Sequence, residues 1–470
     1  MLSKLERQTK LIWSFDGSAL SPEFVDPLTT GYAQSVRLVH SPKFQESILA
    51  FMEQVRRRAP KISIMFDVAG LARGVLRPFE SAQDLAYGET VIFVPKQGAG
   101  HTFGIETDEW ETLFAPDATV YLGYGNVVLR VQDIGTQEVR AEVIQGGTVQ
   151  SGMEVHVPET RRPINISDLE SVYLDRVLGH GVDYLVVPGS LSRQELIELQ
   201  NHIQTRNSQC PFLILKIDSV SAYEQLGSML DVVDGVFISR REIALTTDPA
   251  NLPMITKEII QICNDRAKLS VVASEMLASM RHNPTPTRAE VSDVANAVID
   301  RTDGIVLSEE VSCGRFGLKA IELMAKIVSD VENHEGATPN WRKDQPSIAK
   351  EDDAVAYAAY RIAHRLQAKA IVCITHSGNT PMRISSFGVP IPILAVTFSE
   401  AVLRRLSLVR GVTGIVLDTD PNLDEVLPLV NDHLKRESWL SEGDRIVFVS
   451  LTLSSVGREA SNLVTVQRLN

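Results

Sequence analysis

Within residues 213–245, LILKIDSVSAYEQLGSMLDVVDGVFISRREIAL, charged side chains gather at two places. The apolar run LILKID ends on Lys216 and Asp218, and the next run, VVDGVFIS, leads into Arg240, Arg241 and Glu242. A lysine, two arginines and two carboxylates at neighbouring strand ends could hold a divalent metal through oxygen and a phosphate through cations. The same residues could also be only the solvated rim of a barrel. A second candidate is THSGNTP, residues 375–381, where Thr375, Ser377, Gly378, Asn379 and Thr380 follow an apolar run and open a helical pattern. Amides at such a helix start bind phosphate. The alternative is a plain helix cap.

The elements that must carry these residues follow a repeating rhythm. VDYLVVPGS precedes SRQELIELQNHIQ, FLILKID precedes SVSAYEQLGSML, and VVDGVFIS precedes a helical stretch from Leu252 to Asn264; LSVVASEM and TDGIVLSEE continue the series. Continuous Val/Ile/Leu runs alternating with helices predict buried parallel strands, and charged residues at their C-terminal ends favour a (β/α)8 TIM-type barrel. Residues 71–158 break the rhythm: ATVYLGYGNVVLRVQDIGTQEVRAEVIQGGTVQSGMEVHV alternates apolar and polar residues, the pattern of an antiparallel β-domain. The expected organisation is therefore α/β. Residues 1–70 start the barrel, 71–158 form an inserted antiparallel β-barrel lid, and 159–335 complete the barrel. A polar linker spans 336–350, and a C-terminal α/β domain spans 351–470.

A chain of 470 residues suggests two to four domains. Its 44% hydrophobic content and zero mean hydropathy fit a well-packed globular protein. The net charge of −13 argues against nucleic-acid or anionic-membrane partners, which require basic faces. Cys210, Cys263, Cys313 and Cys373 are widely separated and show no metal-ligand spacing, which points to a reduced, cytoplasmic setting. No apolar run is long enough to cross a bilayer, and the N-terminus has no apolar signal core.

The layout, together with VVASEMLASMRHNPTPTRAEVSDVANAVIDRTDGIVLSEE (271–310), LQAKAIVCITHSGNTP and LSLVRGV (406–412), resembles the pyruvate kinase family over essentially the whole chain. TKLIWSFDGSA and VRLVHS are similar to its N-terminal motifs. The resemblance implies transfer of a phosphoryl group from phosphoenolpyruvate to ADP, giving pyruvate and ATP in glycolysis. It also implies Mg²⁺ or Mn²⁺, usually potassium, a homo-oligomer (dimer or tetramer), and a phosphorylated effector on the loop at 375–380.

Carried over position by position, the family's catalytic places fall on Lys216, Arg37 and Ser274. Ser274 stands for a threonine near the enolpyruvate. The divalent-metal places fall on Asp218 and Glu242, each with its carboxylate chain length exchanged relative to the family. Arg241 occupies a glycine position where bare backbone meets the substrate carboxylate, so it either blocks that approach or binds the anion from another side. Glu275 replaces a neutral amide. For potassium, Ser41 and Asp67 match while Val39 and Val68 supply no side-chain oxygen, which implies weak binding. The loop 66–74 has Ala69, Leu71 and Ala72 where the family carries polar nucleotide-side groups. These departures predict reduced or altered activity. They leave open a catalytically inactive, metabolite-binding or oligomeric homologue, and a metal-dependent aldolase or decarboxylase acting on a pyruvate enolate.

Overall fold

The computed structural model describes residues 7–15, 20, 24–40, 44–68, 74–96, 98, 100–107, 110–123, 125–160, 172–206, 210–334, 351–417, 428–430, 440–453 and 459–469. Eight parallel strands close a barrel in chain order: Lys10–Phe15, Ser35–Val39, Ser63–Asp67, Tyr184–Pro188, Phe212–Ile217, Gly235–Ser239, Leu269–Ala273 and Gly304–Leu307. They are called strands one to eight below. The continuous apolar runs are explained by burial on both faces. Met65, Tyr184, Val186, Ile214, Phe237 and Val271 belong to one apolar cluster, while Leu185, Leu215 and Ile238 belong to another that includes helix residues Leu199, Leu226 and Ile259.

The N-terminal end of this barrel is fastened by a repeated device. One residue ahead of each even strand stands a side-chain acceptor, and each accepts a backbone N–H from the preceding odd strand. Gln34 Oε1 accepts from Leu11 at 2.9 Å, and Asp183 Oδ2 accepts from Ile64 at 2.8 Å. Asp234 Oδ2 accepts from Leu213 and Asp303 Oδ2 from Ser270, both at 2.8 Å. Three of the four are visible in sequence as VDY, VDG and TDG. Buried amides require partners, and these carboxylates supply them where the ladder ends.

The same end is covered by the C-terminal domain. Lys10 Nζ donates to the Val412 carbonyl at 2.7 Å, Arg404 Nε donates to Asp183 Oδ1 at 2.9 Å, and the Arg410 N–H donates to Asp303 Oδ1 at 3.0 Å. The Arg405 guanidinium lies 5.1 Å from the Phe212 ring centroid. Leu406, Leu408, Val409 and Val412 join the apolar cluster of the barrel interior, so LSLVRGV serves as a plug between domains. Burial pushes the Lys10 ammonium down to about 8 and the Asp303 carboxyl up to about 6.

Between strands three and four the chain builds the lid, a closed seven-stranded barrel running from Gly74–Leu76 to Glu154–His156 around Val91, Phe93, Phe103, Val120, Leu129 and Val143. Its pairings are antiparallel apart from Thr90–Val94 against Thr102–Glu106, which run parallel. The C-terminal domain opens with the helix Glu351–Leu366. Its sheet has the order Val412–Val416, Ile393–Thr397, Ala370–Ile374, Arg445–Leu453 and Glu459–Arg468, with only the last pair antiparallel. The predicted linker 336–350 lies outside the described residues. Among the described residues no helix is long and apolar enough to cross a membrane.

Candidate functional site

The C-terminal ends of strands one, two, six, seven and eight surround a cavity of about 240 Å³. Its wall includes Ser14, Arg37, Glu242, Ser274 and Glu309, with Glu154 contributed by the lid. Arg37 is almost wholly buried on strand two. Its Nε donates to Asp67 Oδ2 at 3.0 Å, its Nη1 donates to Ser14 Oγ at 2.7 Å, and a second Nη2 contact closes on the same Asp67 oxygen. The guanidinium sits 4.7 Å from the Phe237 ring centroid, which fixes its plane from the barrel interior.

Lys216 has no exposed surface, and its Nζ donates to Glu242 Oε1 at 3.1 Å. Strand five therefore presents its ammonium behind the cavity wall, with Glu242 between it and the open space. Glu242 is placed by the four-residue helix Arg240–Ile243, which starts directly at the end of strand six. Neighbouring Arg240 donates to the Ser274 carbonyl at 2.8 Å and pairs with Asp293 at 3.1 Å, tying strand six to the loop after strand seven.

That loop is backbone-strained. Ser274 and Glu275 have φ of 76° and 56°, two consecutive left-handed residues without glycine. Such conformations cost on the order of 1–3 kcal/mol each and persist where surrounding contacts hold them. Here Arg240 holds one end, and Glu275 Oε1 meets Arg241 Nε at 3.3 Å. Arg241 Nη1 also reaches Glu309 Oε1 at 3.4 Å, and the other Glu309 oxygen lies against the Arg281 guanidinium. The two departures read separately in the sequence, Arg241 and Glu275, are therefore partners in one chain of charges across the cavity.

The remaining predicted residues fall as follows. Asp67 is fully buried and bound to Arg37, with Val39 and Val68 beside it on the same strand ends. Neighbouring His40 is lowered by burial, against the pull of Asp67. Asp218 is buried at the end of strand five but is not part of the cavity wall. Its Oδ1 stands 3.4 Å from where a Cβ on Gly189 would lie. Ser41 and the residues Ala69, Leu71 and Ala72 lie outside the described residues. At 375–380, Thr375 is fully buried and its Oγ1 accepts from the Gly378 N–H at 2.9 Å, while Ser377 Oγ accepts from Asn379 at 3.4 Å. Gly378 takes φ 92°, and the helix Asn379–Ser386 follows. Those hydroxyls act as local caps in this structure.

Glu309, Glu310, Arg281 and Ser14 were not singled out in the sequence. The signal existed: LSEE follows the buried strand-eight run GIVL, the same strand-end position that marked Lys216. Glu310 accepts from the Ser308 amide at 2.8 Å and the Leu277 amide at 3.3 Å, so it braces two loops. The wall carries three guanidiniums, Arg37, Arg241 and Arg281, against five carboxylates, Glu154, Glu242, Glu275, Glu309 and Glu310. No three His, Cys, Asp or Glu side chains among the described residues could hold a metal alone. Mg²⁺ ordinarily uses one or two carboxylates with substrate oxygens and water, so this wall fits an ion that arrives with substrate.

Family models described as "Pyruvate kinase, barrel domain" and "Pyruvate kinase, alpha/beta domain" match residues 6–321 and 353–467. A curated relative named pyruvate kinase from Agrobacterium vitis is 28% identical over 467 residues, covering 96% of this chain and 94% of its own. The pyruvate kinase of Thermotoga maritima is 27% identical over 421 residues, 88% of each chain. Among solved structures, Cryptosporidium parvum pyruvate kinase in complex with ADP superposes with a TM-score of 0.84 at 23% identity, covering 99% of this chain and 96% of that one.

Proposed function

Given that this chain belongs to the pyruvate kinase family, we propose that it transfers a phosphoryl group between phosphoenolpyruvate and ADP, at a reduced or altered rate. The supporting observation is the buried Lys216–Glu242 pair behind a cavity whose wall offers Arg37. Phosphoryl transfer asks the protein mainly for positioning and charge neutralisation. In this reading Arg37 faces the transferring phosphoryl oxygens. Lys216 stabilises charge between phosphoryl and enolate oxygen, and Ser274 lies beside the enolpyruvate. The ADP phosphate oxygen bonds to phosphorus as the enol oxygen leaves, and the enolate takes a proton at its terminal carbon to give pyruvate.

A divalent ion bound with substrate would neutralise phosphoryl charge. Glu242 on the wall, with Asp218 at the end of strand five, would hold it. Potassium is not part of the proposal: Arg37 already engages Asp67, and Val39 and Val68 bring no side-chain oxygen. Potassium binding should therefore be weak. A cytoplasmic homo-oligomer with the domain limits given above completes the reading.

A second reading, a non-catalytic homologue, draws on the Arg241–Glu275–Glu309 chain, which spans the cavity where a substrate carboxylate would sit. A coupled assay with phosphoenolpyruvate, ADP and Mg²⁺ or Mn²⁺ decides between them. Turnover lost by at least ~10²-fold in Lys216→Met is the expected result. No turnover in the unaltered chain, or turnover indifferent to that substitution, sinks the first reading.

A further inference from the structure

We propose that Arg241 is the anion-recognising side chain of the cavity, and that Glu275 and Glu309 are resident counter-ions which an incoming small oxyanion displaces. The three cations of the wall are not held alike. Arg37 is buried and donates to Asp67 and Ser14 at hydrogen-bond distance, and Arg281 is ion-paired with Glu309. Arg241 is different, since its two carboxylate contacts measure 3.3 and 3.4 Å. Charge-assisted N–H···O bonds close to about 2.7–2.9 Å, so both contacts are longer than that optimum.

One of its partners is also readily taken over by water. Glu275 is 56% exposed, so returning its carboxylate to solvent costs little. The guanidinium itself is only 18% exposed and lines the cavity. A planar donor fork there suits a carboxylate or a phosphoryl group, which it can receive through two parallel bonds. Glu275, the second of the two left-handed residues, is the one that meets Arg241 Nε. Arginine at this position is then neither damage nor mere obstruction. It is a replacement recognition element supplied with its own displaceable anion.

This inference rests on reading the cavity as a substrate site, but not on turnover, so it is tested by binding without ADP. Isothermal titration of the full chain would use phosphoenolpyruvate, pyruvate and inorganic phosphate as separate probes. Glu275→Gln removes the competing charge and should tighten phosphoenolpyruvate about tenfold. Arg241→Met should weaken it at least tenfold, and the double variant should match Arg241→Met alone. Whichever of pyruvate or phosphate shows the same dependence identifies the group that Arg241 receives. The proposal is overturned if Arg241→Met binds all three as tightly as the unaltered chain, or if Glu275→Gln changes no affinity. Thermal melts check that each variant folds. A protein that binds in this pattern without transferring phosphate would sink the proposed reaction and leave this inference standing.

Discussion

The two ends of the eight-stranded barrel are made from the same strands and use ionisable residues in opposite ways. At the N-terminal end, Asp183, Asp234 and Asp303 each accept a backbone amide, and Asp183 also binds Arg56 and Arg404. Every one of those contacts fastens one piece of chain to another. At the C-terminal end, charges face a cavity, one pair joins a mostly buried guanidinium to an exposed carboxylate, and two successive residues are held in a left-handed conformation. The first end is arranged for closure and the second for exchange, as expected where a barrel keeps stability on one face and chemistry on the other. Neither charge count nor residue type distinguishes them. What does is whether the charges are packed between pieces of chain or line an opening.

The contrast is most exposed to Lys216→Met. Phosphoryl transfer should fall by ~10²–10³-fold or more, and the stranded Glu242 should cost on the order of 3–5 kcal/mol of stability. Adding Glu242→Gln should restore most of that stability and none of the rate, read by urea midpoint and coupled assay together. A double variant that regains activity would mean that this end, too, serves closure. Next in size, Asp183→Ala leaves Arg56 and Arg404 without their shared carboxylate and the Ile64 amide without its acceptor. A loss of about 3–5 kcal/mol is expected, with kcat unchanged at a temperature where the variant is folded. A selective fall in kcat would erase the division between the ends.

The seam under the barrel gives a smaller, pH-dependent effect. Lys10 is held near 8, below its ordinary 10.5, mainly by burial. Between those values the unfolded chain keeps a proton that the folded chain has released. Stability from this group therefore rises with pH from about 8 to 10.5, by at most about 3 kcal/mol. Lys10→Met should flatten that rise in urea midpoints, and an unchanged slope would show that the ammonium is not desolvated. Smallest of all, Thr375→Val removes the hydroxyl that accepts from Gly378 and should cost about 1 kcal/mol. Phosphate affinity and turnover should not move. A drop in phosphate binding would support an effector site on that loop.

Much of the architecture could be read from the sequence because burial on both faces leaves an apolar signature that no surface element shares. The βα rhythm and the second α/β unit follow from that, while the insert showed itself by the alternation that burial on one face leaves. At the site, Lys216 and Glu242 stood at strand ends, where position is informative, while Arg37, in the middle of strand two, was reached only through the family resemblance. The coupling of Arg241 to Glu275 did not show, because it joins residues 34 apart through a left-handed turn that contains no glycine. Arg241 read alone looks like an obstruction, and Glu275 read alone looks like a stray charge. Nor did the sequence separate Asp218 from Glu242. Two carboxylates at adjacent strand ends look equivalent until the cavity wall includes one and passes over the other.

The alternation of acceptors ahead of strands two, four, six and eight also fixes how the chain threads. If one strand slipped by a single residue against its neighbour, an aspartate or glutamine would face a side chain where it now meets an amide, and inward residues would turn outward. Four such checks around the ring make misalignment costly wherever it begins. The loops at the far end are thereby free to be rewritten, since the register that aims Lys216 and Arg37 is set a full strand length away.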